Sequence, residues 1–476
     1  MTLKELVKNI DCKISGNSEI KIKGIAYDSR KVQEGYLFVA IKGFETDGHK
    51  YIESAIENGA VAVLGEEDIT PQCTYVQTID SRKALALCAA EFYDHPEKKL
   101  KIIGLTGTNG KTTTTYLIRQ ILMLKGLRCD LIGTNQTIIG NEVIESSRTT
   151  PESLDLFALF AQMAECGGEY VVMEVSSHSL ELDRVYGVTF ETAVLTNVTQ
   201  DHLDFHKTMD NYANAKAKLF AMSKSAAINL DSDYADVCLE KSGGKALTYS
   251  IDRESLVWAK NIRMSERGVI FNISPNGEDI EMRLGIPGRF SVYNALAAIC
   301  ACINLGLDIK DIDKGLVLAK SVKGRIEVVH TNTPYTVIID YAHTPDGMEN
   351  IICAVRAFAK ARVITVFGCG GNRDASKRPK MGSIAEELSD IAVVTSDNPR
   401  CEDHDAIIAD ILKDMKKDNH VVITNRRDAI KRAMEIAQKD DIIILAGKGH
   451  ETYQEIDHVK HDFDERVVVR EILAGM

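Results

Sequence analysis

The sequence predicts an α/β protein of three domains built on mainly parallel sheets. Two observations lead to this prediction: short apolar runs alternate with helical segments from about residue 99 onward, and a glycine-rich loop joins one strand to one helix. Most of the runs are continuously apolar, which is typical of parallel strands buried on both faces. A chain of 476 residues is also too long for a single core, so we expect several domains.

The first predicted domain covers residues 1–98. Strand-like runs occur at 36–41 and 61–64, and the polar stretch at 95–99 contains a proline, which suits a domain boundary. The central domain is predicted over residues 99–325. Its strand candidates are 102–105, 131–133, 170–175 and 193–197. Between them, Thr150-Pro151-Glu152 predicts a helix start with Thr150 as the N-cap.

The third predicted domain covers residues 326–476. Apolar runs that are typical of strands alternate there with helical segments, which predicts a second doubly wound α/β domain. The strand candidates are 336–339, 363–367, 392–395, 421–424 and 442–445, and helices are predicted at 406–415 and 428–438.

Composition narrows the class of protein. The formal net charge of −12 argues against a general nucleic-acid binder. Eleven cysteines, an odd number without a Cys-x-x-Cys pair, are typical of reduced thiols. The start of the chain does not resemble a signal peptide, and no apolar run reaches the roughly 18 residues of a membrane span. We therefore expect a soluble, cytoplasmic protein.

The glycine-rich loop predicts an ATP site. It runs from Gly104 to Thr114 between an apolar strand and a helix, and it contains Gly-Lys-Thr at the helix start. Backbone N–H groups there can bind phosphate, the lysine can reach the β- and γ-phosphates, and the threonine hydroxyl can ligate Mg²⁺. Leu105 stands where the strict motif has glycine, and the alternative is a turn that binds nothing. The predicted ATP-binding residues of the loop are Gly107, Thr108, Asn109, Gly110, Lys111, Thr112 and Thr113.

Two strand ends near the loop carry candidate metal ligands. Glu174 ends one buried strand, and an acid beside a phosphate loop can ligate the nucleotide's metal ion. His202 follows the next strand, where a neutral imidazole could ligate Mg²⁺ or Mn²⁺. The alternatives are a solvated carboxylate and a structural histidine. Lys216 lies on a segment that is typical of an exposed helix face, where a lysine is usually a solvated cation.

These segments together resemble the Mur ligase family, whose members are ATP-dependent and add amino acids to peptidoglycan precursors. The resemblance rests on the loop at 106–112, the segment with Glu174, Asn197 through His202, Ala215-Lys216 and Gly288 through Ala295, and it extends over essentially the whole chain. It implies a central P-loop ATPase-type domain and a C-terminal Rossmann-like domain that binds the amino acid. It also implies that the N-terminal domain binds a uridine diphosphate sugar.

The resemblance assigns further residues to substrates. The nucleotide-sugar peptide would contact Ser29, Thr149, Thr150, Ser176 and Arg184, whereas Leu182 replaces a polar contact that some members carry. ATP would also contact Asn294, Arg325, Asp340 and His343. The family carries the lysine at Lys216 as a carbamate formed with CO₂, which turns a cation into a Mg²⁺ ligand. The implied metal ligands are thus Thr112, Glu174, His202 and carbamylated Lys216.

The acceptor amino acid is implied by the C-terminal segments. Asp397-Asn398-Pro399-Arg400 is typical of members that take meso-2,6-diaminopimelate, where the arginine binds the distal carboxylate. The basic residues Arg373, Lys377, Arg378 and Lys380 suit a carboxylate-bearing ligand, although a solvated basic patch is the alternative. The implied acceptor-binding residues are Arg373, Asp397, Asn398, Pro399, Arg400, Gly447 and Glu451.

The expected reaction is ATP-dependent joining of diaminopimelate to the D-glutamate γ-carboxylate of UDP-N-acetylmuramoyl-L-alanyl-D-glutamate through an acyl phosphate. The implied catalytic residues are Lys111, Glu174, His202 and Lys216. Only small-molecule substrates and a monomer are expected. The alternatives are L-lysine as the acceptor, a folate polyglutamylating ligase, and a non-catalytic ATP-dependent switch.

Overall fold

A computed structural model of the protein describes residues 1–43, 46–146, 148–265, 268–275, 277, 279–329 and 331–475. The chain divides into two compact units. Unit 1 comprises Met1–Gly104, Gly126–Ala193 and Lys218–Lys224, and unit 2 comprises Leu105–Lys125, Val194–Ala217 and Ser225–Met476. Within the described residues, no helix is both long enough and apolar enough to span a bilayer.

The N-terminal part of unit 1 is a small α/β sheet. Its elements are α1 (Leu3–Leu6), β1 (Cys12–Ser15), β2 (Gly24–Ala26), β3 (Tyr36–Val39), α2 (Ile52–Glu57), β4 (Ala60–Gly65), β5 (Thr74–Thr78) and α3 (Ser81–Phe92). The strand order is β1-β5-β4-β3-β2, with β1 antiparallel and the other strands parallel. Phe38 and Val63 on the central strands are buried against Ile52 of α2. The predicted strands near 36–41 and 61–64 are confirmed.

The middle of the chain supplies strands to both units. Its elements are β6 (Lys101–Thr106), α4 (Lys111–Leu124), β7 (Cys129–Ile132), β8 (Gln136–Ile139), β9 (Glu142–Glu145), α5 (Ser153–Glu165), β10 (Tyr170–Glu174), α6 (Ser177–Glu181), β11 (Thr192–Leu195), α7 (Leu203–His206), α8 (Met209–Ala221), β12 (Ala226–Asn229), α9 (Ala235–Lys241), β13 (Ala246–Ser250), β14 (Val257–Trp258), β15 (Lys260–Ser265), β16 (Gly268–Ile273), β17 (Ile280–Leu284), α10 (Arg289–Asn304) and α11 (Ile309–Val317).

The four predicted central strands are present, and each unit has its own strand order. In unit 1 the order is β11-β6-β10-β7-β8-β9, and in unit 2 it is β14-β13-β12-β11-β6, because β6 and β11 have residues in both units. The pair of β10 with β7 is parallel, as predicted. The pairs β12 with β13 and β13 with β14 are parallel too, but these three strands were not predicted. Strands β8 and β9 and the sheet β15-β16-β17 are antiparallel and were not predicted. Strands β9 and β15 are largely exposed and so lack the apolar runs that identify buried strands.

The C-terminal part of unit 2 is a doubly wound domain. Its elements are β18 (Glu327–Val329), β19 (Thr336–Asp340), α12 (Pro345–Arg356), β20 (Val363–Phe367), α13 (Lys377–Leu388), β21 (Ile391–Val394), α14 (His404–Leu412), β22 (His420–Val422), α15 (Arg426–Ile436), β23 (Ile442–Ala446), β24 (Tyr453–Ile456), β25 (Val459–Asp462) and α16 (Glu465–Gly475). All five predicted strands and both predicted helices are present.

The sheet order of this domain is β18-β19-β23-β20-β21-β22, with all neighbours parallel except β18 and β19. The parallel strands end at one edge of the sheet, where polar loops follow β19, β20, β21 and β23. Ligands bind at such an edge in open α/β sheets. The hairpin of β24 and β25 follows the loop after β23.

The predicted N-cap of helix α5 is wrong. The helix begins at Ser153, and Glu152 is its N-cap residue without a side-chain cap. The Thr150 hydroxyl instead donates to the Glu174 carbonyl oxygen at 2.9 Å and accepts from the Ser176 N–H at 3.1 Å. A partner distant in sequence therefore outcompetes the local cap.

A buried ion pair connects two helices of the C-terminal domain and supports a stability prediction. Arg426 donates to Glu465 Oε1 from Nε at 2.9 Å and from Nη2 at 2.7 Å, and both side chains are inaccessible to water. Replacing Arg426 with methionine leaves a buried carboxylate unpaired, which should cost about 3–5 kcal/mol. The neighbouring pair of Arg427 and Glu471 is about half exposed, so Arg427→Met should cost only about 0–1 kcal/mol. Chemical unfolding of both variants checks this, and equal losses would contradict it.

Candidate active site

The glycine-rich loop has the backbone that its sequence predicts. Gly107 has φ +148°, and a Cβ there would collide with Thr196 Oγ1. Gly110 has φ +83° and is the N-cap residue of α4, which begins at Lys111. Glycine tolerates both conformations, whereas a side chain would be strained. The first turn of α4 therefore presents N–H groups and the positive end of its dipole, the arrangement that binds phosphate.

Two residues that follow β11 in the chain, Thr196 and Asn197, hold this loop in place. The Thr108 N–H donates to the Asn197 carbonyl oxygen at 2.9 Å, and the Asn109 N–H donates to Asn197 Oδ1 at 2.9 Å. The Thr196 hydroxyl donates to the Asn109 carbonyl oxygen at 2.6 Å. Lys111 Nζ lies across the loop, donating to the carbonyl oxygens of Gly107 and Thr108 at 2.9 Å each. Contacts within the protein thus hold the loop in this conformation.

A cavity of about 250 Å³ opens in unit 2 beside the loop. Its lining combines groups suited to phosphate with the apolar or aromatic side chains that a nucleobase requires. The lining includes Asn109, Gly110, Thr112, Thr113, Phe290, Tyr293, Asn294, Val322, Arg325 and Asp340. Seven of these ten were predicted to contact ATP from the sequence, and Phe290, Tyr293 and Val322 were not. The cavity therefore gathers most of the predicted ATP residues around one space.

Three of the predicted ATP residues form contacts that organise this cavity. Arg325 Nη2 donates to Thr112 Oγ1 at 3.3 Å. Asp340 accepts from the N–H groups of Ile326 at 2.8 Å and Ala342 at 2.9 Å, while burial raises the pKa of its carboxyl and Arg325 opposes that rise. Asn294 Oδ1 accepts from the Thr114 hydroxyl at 3.4 Å. The Arg325 contact therefore links this part of the chain to the first turn of α4, directly after the phosphate loop.

Lys216 is buried, so the expectation of an exposed, solvated lysine is wrong. Its Nζ donates to the Gly107 carbonyl oxygen at 2.8 Å and lies 4.3 Å from the centre of the Tyr212 ring. Burial, with Lys111 nearby, lowers the pKa of the Lys216 ammonium well below its usual value. The buried position therefore favours the neutral amine over the ammonium form of Lys216.

His202 lies in a cluster of charged groups. The backbone of His202 has φ +54°, and its Nε2 lies 3.4 Å from Asp201 Oδ2. Burial raises the pKa of the Asp201 carboxyl, but His202, Lys377 and His343 outweigh it and hold that pKa below its usual value. Burial and Lys377 lower the pKa of His343 to about 4, so this imidazole is neutral at pH 7. His343 Nδ1 lies 2.8 Å from the Tyr341 carbonyl oxygen.

In unit 1, Glu174 is the centre of a hydroxyl-rich cluster. Its Oε1 accepts from the Thr134 N–H and its Oε2 from the Thr134 hydroxyl, each at 2.9 Å. Thr149 Oγ1 lies 3.1 Å from Thr134 Oγ1, and Arg184 Nη1 donates to the Thr150 carbonyl oxygen at 3.3 Å. Thr149, Thr150, Ser176 and Arg184, all predicted to bind the nucleotide-sugar peptide, are thus brought together around Glu174. Thr134 was not predicted.

Ser29 lies in a different loop of unit 1. It begins a 3-10 helix capped by Asp28, and the Asn58 side chain donates to its carbonyl oxygen at 3.0 Å. Its predicted contact with the nucleotide sugar stays a prediction.

The loops after β21 and β23 form a buried polar cluster that contains Asp397, Asn398, Lys448 and Glu451 (the acceptor cluster). Asn398 Nδ2 donates to Glu451 Oε2 at 2.8 Å. Gly447 has φ +116°, and a Cβ there would lie 2.9 Å from Asp397 Oδ2. Lys448 is fully buried and was not assigned a role from the sequence. Asp397, Asn398 and Glu451 were all predicted to bind the acceptor. Each of them contacts Lys448, and Asn398 also contacts Glu451 directly.

Arg400 lies beside the acceptor cluster and is held in place by strand β24. Its N–H donates to the Glu455 carbonyl oxygen at 3.1 Å, and its φ of +54° is in the left-handed region. Nη1 donates to the Gly371 carbonyl oxygen at 2.8 Å, and Nε lies 3.2 Å from Glu455 Oε2. Nη2 donates to no acceptor among the described residues. The Nη2 group is therefore available for a carboxylate.

The predicted basic cluster is not one surface. Arg378 is buried and donates to Asp410 at 2.9 Å and Glu402 at 2.8 Å. Lys377 is buried 3.8 Å from Asp201, and Lys380 donates to Gln200. Three of the four side chains thus have protein partners, whereas Arg373 is exposed and its predicted role stays a prediction.

The loop, helix and cavity of unit 2 define a nucleotide-binding enzyme of the P-loop class. Three family models match the chain: Mur ligase family catalytic domain at residues 21–93, Mur ligase middle domain at 105–302, and Mur ligase glutamate ligase domain at 324–449. The UDP-N-acetylmuramoyl-L-alanyl-D-glutamate–2,6-diaminopimelate ligase of Clostridium botulinum (strain ATCC 19397 / Type A) is 48% identical over 480 residues, covering 99% of both chains. The chain belongs to the Mur ligase family.

Solved structures agree with this assignment. One UDP-N-acetylmuramoyl-L-alanyl-D-glutamate–2,6-diaminopimelate ligase superimposes with a TM-score of 0.70 at 32% identity, covering 100% of this chain and 99% of the other. The MurF ligase from Thermotoga maritima in complex with ADP shares the fold, with a TM-score of 0.62 at 20% identity, covering 96% and 97%. The α/β, three-domain fold class is confirmed, while the domain boundaries at 98/99 and 325/326 stay predictions.

Proposed function

We propose that this chain is an ATP-dependent ligase that joins meso-2,6-diaminopimelate to the D-glutamate γ-carboxylate of UDP-N-acetylmuramoyl-L-alanyl-D-glutamate. The observation that carries the proposal is that unit 2 combines a phosphate loop at a helix start with an acceptor cluster flanked by Arg400, whose Nη2 contacts no acceptor among the described residues. The high identity to relatives that bear this activity in their names supports it.

The reaction would begin at the phosphate loop. The γ-carboxylate of the D-glutamate attacks the γ-phosphate of ATP, which gives an acyl phosphate and ADP. Lys111, with the N–H groups of the first turn of α4, would stabilise the charge on the transferring phosphoryl group. The acceptor amine then attacks the acyl carbon, and inorganic phosphate leaves with the C–O electron pair.

The donor set suits Mg²⁺. We propose that Thr112, His202 and carbamylated Lys216 of unit 2 hold the ion, since hydroxyl and carbamate oxygens are hard ligands and imidazole completes the set. We also propose that the Glu174 carboxylate of unit 1 is a metal ligand. When bound, Mg²⁺ would neutralise phosphate charge. The low pKa of Lys216 supports the carbamate, because the neutral amine forms a C–N bond to CO₂ and releases one proton to water.

The substrates have separate places in this scheme. The nucleotide-sugar peptide would contact Ser29, Thr149, Thr150, Ser176 and Arg184, and the acceptor would lie between Arg373, Arg400 and the acceptor cluster. Closure around the acyl phosphate would exclude water, which would otherwise hydrolyse it. We further propose a monomeric, cytoplasmic enzyme that binds only small molecules, which sedimentation and cell fractionation would test.

The test is an acceptor panel with the purified protein. ADP release should require both the nucleotide-sugar dipeptide and an amino acid, and diaminopimelate should be the preferred amino acid. ATP hydrolysis at a rate that does not depend on either substrate would indicate a switch instead of a ligase. Use of L-lysine or of a folate substrate at the same rate would support those alternatives.

Arg400 should determine the choice of acceptor. A two-pronged guanidinium–carboxylate contact in a partly desolvated site is worth about 2–4 kcal/mol, and lysine has no distal carboxylate to bind. The wild type should therefore prefer diaminopimelate over L-lysine by roughly a hundredfold in kcat/KM. Arg400→Ala should lose most of that preference through a higher KM for diaminopimelate, with the KM for ATP about unchanged.

The control for this variant is Arg432→Ala, because Arg432 is an exposed arginine of the same domain that pairs with Glu435 at the surface. It should keep the wild-type preference. An Arg400→Ala enzyme that discriminates as the wild type does would contradict the assignment of Arg400 but leave the ligase activity in place.

A further inference from the structure

Lys448 occupies the centre of the acceptor cluster. Its side chain is fully buried, and its Nζ lies 3.0 Å from Asn398 Oδ1, 3.2 Å from Glu451 Oε2 and 3.4 Å from Asp397 Oδ1. An ammonium group has three N–H donors, and three acceptors surround it. Lys448 therefore has no donor left for a substrate, and any role in the reaction must act through its neighbours.

The first neighbour is the Asn398 amide, whose orientation is fixed. Its Oδ1 accepts from Lys448 Nζ and from the Glu455 N–H at 2.9 Å, so the oxygen must face these donors. The Nδ2 group then points the other way and donates to Glu451 Oε2 at 2.8 Å. Lys448 thus prevents the amide from turning over, and the amide in turn holds the carboxylate.

The second neighbour is the Glu451 carboxylate, whose two oxygens differ. Oε2 accepts from both Lys448 and Asn398. Oε1 has a single long contact among the described residues, from the Tyr341 hydroxyl at 3.4 Å. A carboxylate oxygen can accept more than one hydrogen bond. Oε1 is therefore the atom of this cluster that can take an ammonium group from a ligand.

Charge balance gives Lys448 a second effect. Two carboxylates, Asp397 and Glu451, lie in this buried cluster, and the nearby cation Arg426 is already engaged by Glu465. Burial raises the pKa of Glu451 and Lys448 opposes the rise. Without the lysine, Glu451 would take up a proton at higher pH and could no longer attract an ammonium group.

We infer that Lys448 is a positioning residue for the acceptor amino acid: it fixes the Asn398 amide and keeps Glu451 charged, with Oε1 directed to the acceptor's distal ammonium group. This inference rests on the proposed function. It adds a residue that does not touch the substrate but determines how tightly the acceptor binds.

The test compares Lys448→Met and Lys448→Gln with the wild type. Both variants should raise the KM for diaminopimelate about tenfold or more, because a fixed partner of the ligand's charge is lost. The KM values for ATP and for the nucleotide-sugar dipeptide should stay within about twofold, since the phosphate loop is untouched. Lys460→Met is the matched control: Lys460 is an exposed lysine in the adjacent hairpin, 4.0 Å from the Tyr453 ring centre, and its loss should change none of the three.

The pH dependence separates positioning from general damage. The charged and titratable groups that face Glu451 are Lys448, Asp397, Tyr341, Arg426 and Tyr453. Removing Lys448 raises the pKa of Glu451 further, so the KM for diaminopimelate in the variants should rise as the pH falls toward and below that pKa. The KM for ATP should show no such additional trend. If Lys448 had only a structural role, its replacement would change the KM values for all three substrates alike at every pH.

Each outcome decides between the claims. A wild type that does not use diaminopimelate overturns the proposed function itself. A wild type that uses it, together with variants of unchanged acceptor KM, overturns the role of Lys448. If Lys448→Met does not fold, Lys448→Gln decides, since it is uncharged but can still donate to Asn398. Loss of ATP binding in both variants would make Lys448 structural and overturn the inference.

Discussion

Lys111→Ala is expected to abolish ligation, with a loss in kcat of about a thousandfold or more, because phosphoryl transfer depends on positioned charge. The structure gives the physical reason. The Lys111 ammonium is held at the loop by two carbonyl oxygens, so it is fixed near the place where phosphate would bind. Steady-state turnover at saturating ATP is the measurement.

The control for Lys111 is Lys125→Ala at the other end of α4. Lys125 is the C-cap residue of that helix and pairs with Asp311 at the surface, so its loss should leave turnover near the wild-type value. Binding of the uridine nucleotide should survive in both variants. Near-normal turnover of Lys111→Ala at saturating ATP would make the phosphate-loop assignment wrong.

Lys216→Ala should be nearly inactive, with a loss of about a hundredfold or more, since a carboxylate-like group beside the nucleotide's metal ion would be missing. A short carboxylic acid added to the assay should restore part of the activity by supplying the missing charge. The activity of Lys216→Arg should not be restored by the acid, because this variant keeps a positive charge and cannot form a carbamate. Peptide mass spectrometry under conditions that preserve carbamates gives an independent reading.

The control for Lys216 is Lys218→Ala on the same helix. Lys218 is exposed and pairs with Glu181 at 2.7 Å, so its loss should change little. An unmodified Lys216 together with a fully active Lys216→Ala variant would contradict both the carbamate and the catalytic role.

The phosphate loop shows what the sequence can predict. Its glycines, its lysine and the helix that follows are close together in the chain, so the motif can be recognised without knowledge of the distant residues Thr196 and Asn197 that hold it. Gly107 and Gly110 have the positive φ values that the motif requires, and α4 begins at the predicted position. The predicted strands are mostly buried ones, because a continuously apolar run favours a strand that is covered on both faces, although the buried strand β12 was not predicted.

Lys216 and Lys448 show what the sequence cannot predict. The helix with Lys216 looks exposed from its own residues, yet the side chain is buried against Gly107, 109 positions away in the chain. Lys448 lies in a segment in which Gly447 and Glu451 received roles, but its partners Asp397 and Asn398 come from a different strand end. In both cases burial is decided by tertiary packing, which leaves no local signal.

The basic residues of α13 illustrate the same limit. A run of positive charge near a strand end suggested one anion site. Arg378 is instead paired with Glu402 and Asp410, which lie 24 and 32 positions away in the chain. The exposed strands β9 and β15 escaped prediction because exposure removes the apolar pattern.

The most direct test of the central claim is the identity of the ligated product. The purified protein would be incubated with ATP, UDP-N-acetylmuramoyl-L-alanyl-D-glutamate, and equal amounts of meso-diaminopimelate and L-lysine, and the nucleotide product analysed by mass spectrometry. We expect the diaminopimelate adduct to dominate by roughly a hundredfold, with one ADP and one phosphate released for each product. Equal amounts of both adducts, or ATP hydrolysis without any adduct, would contradict the account.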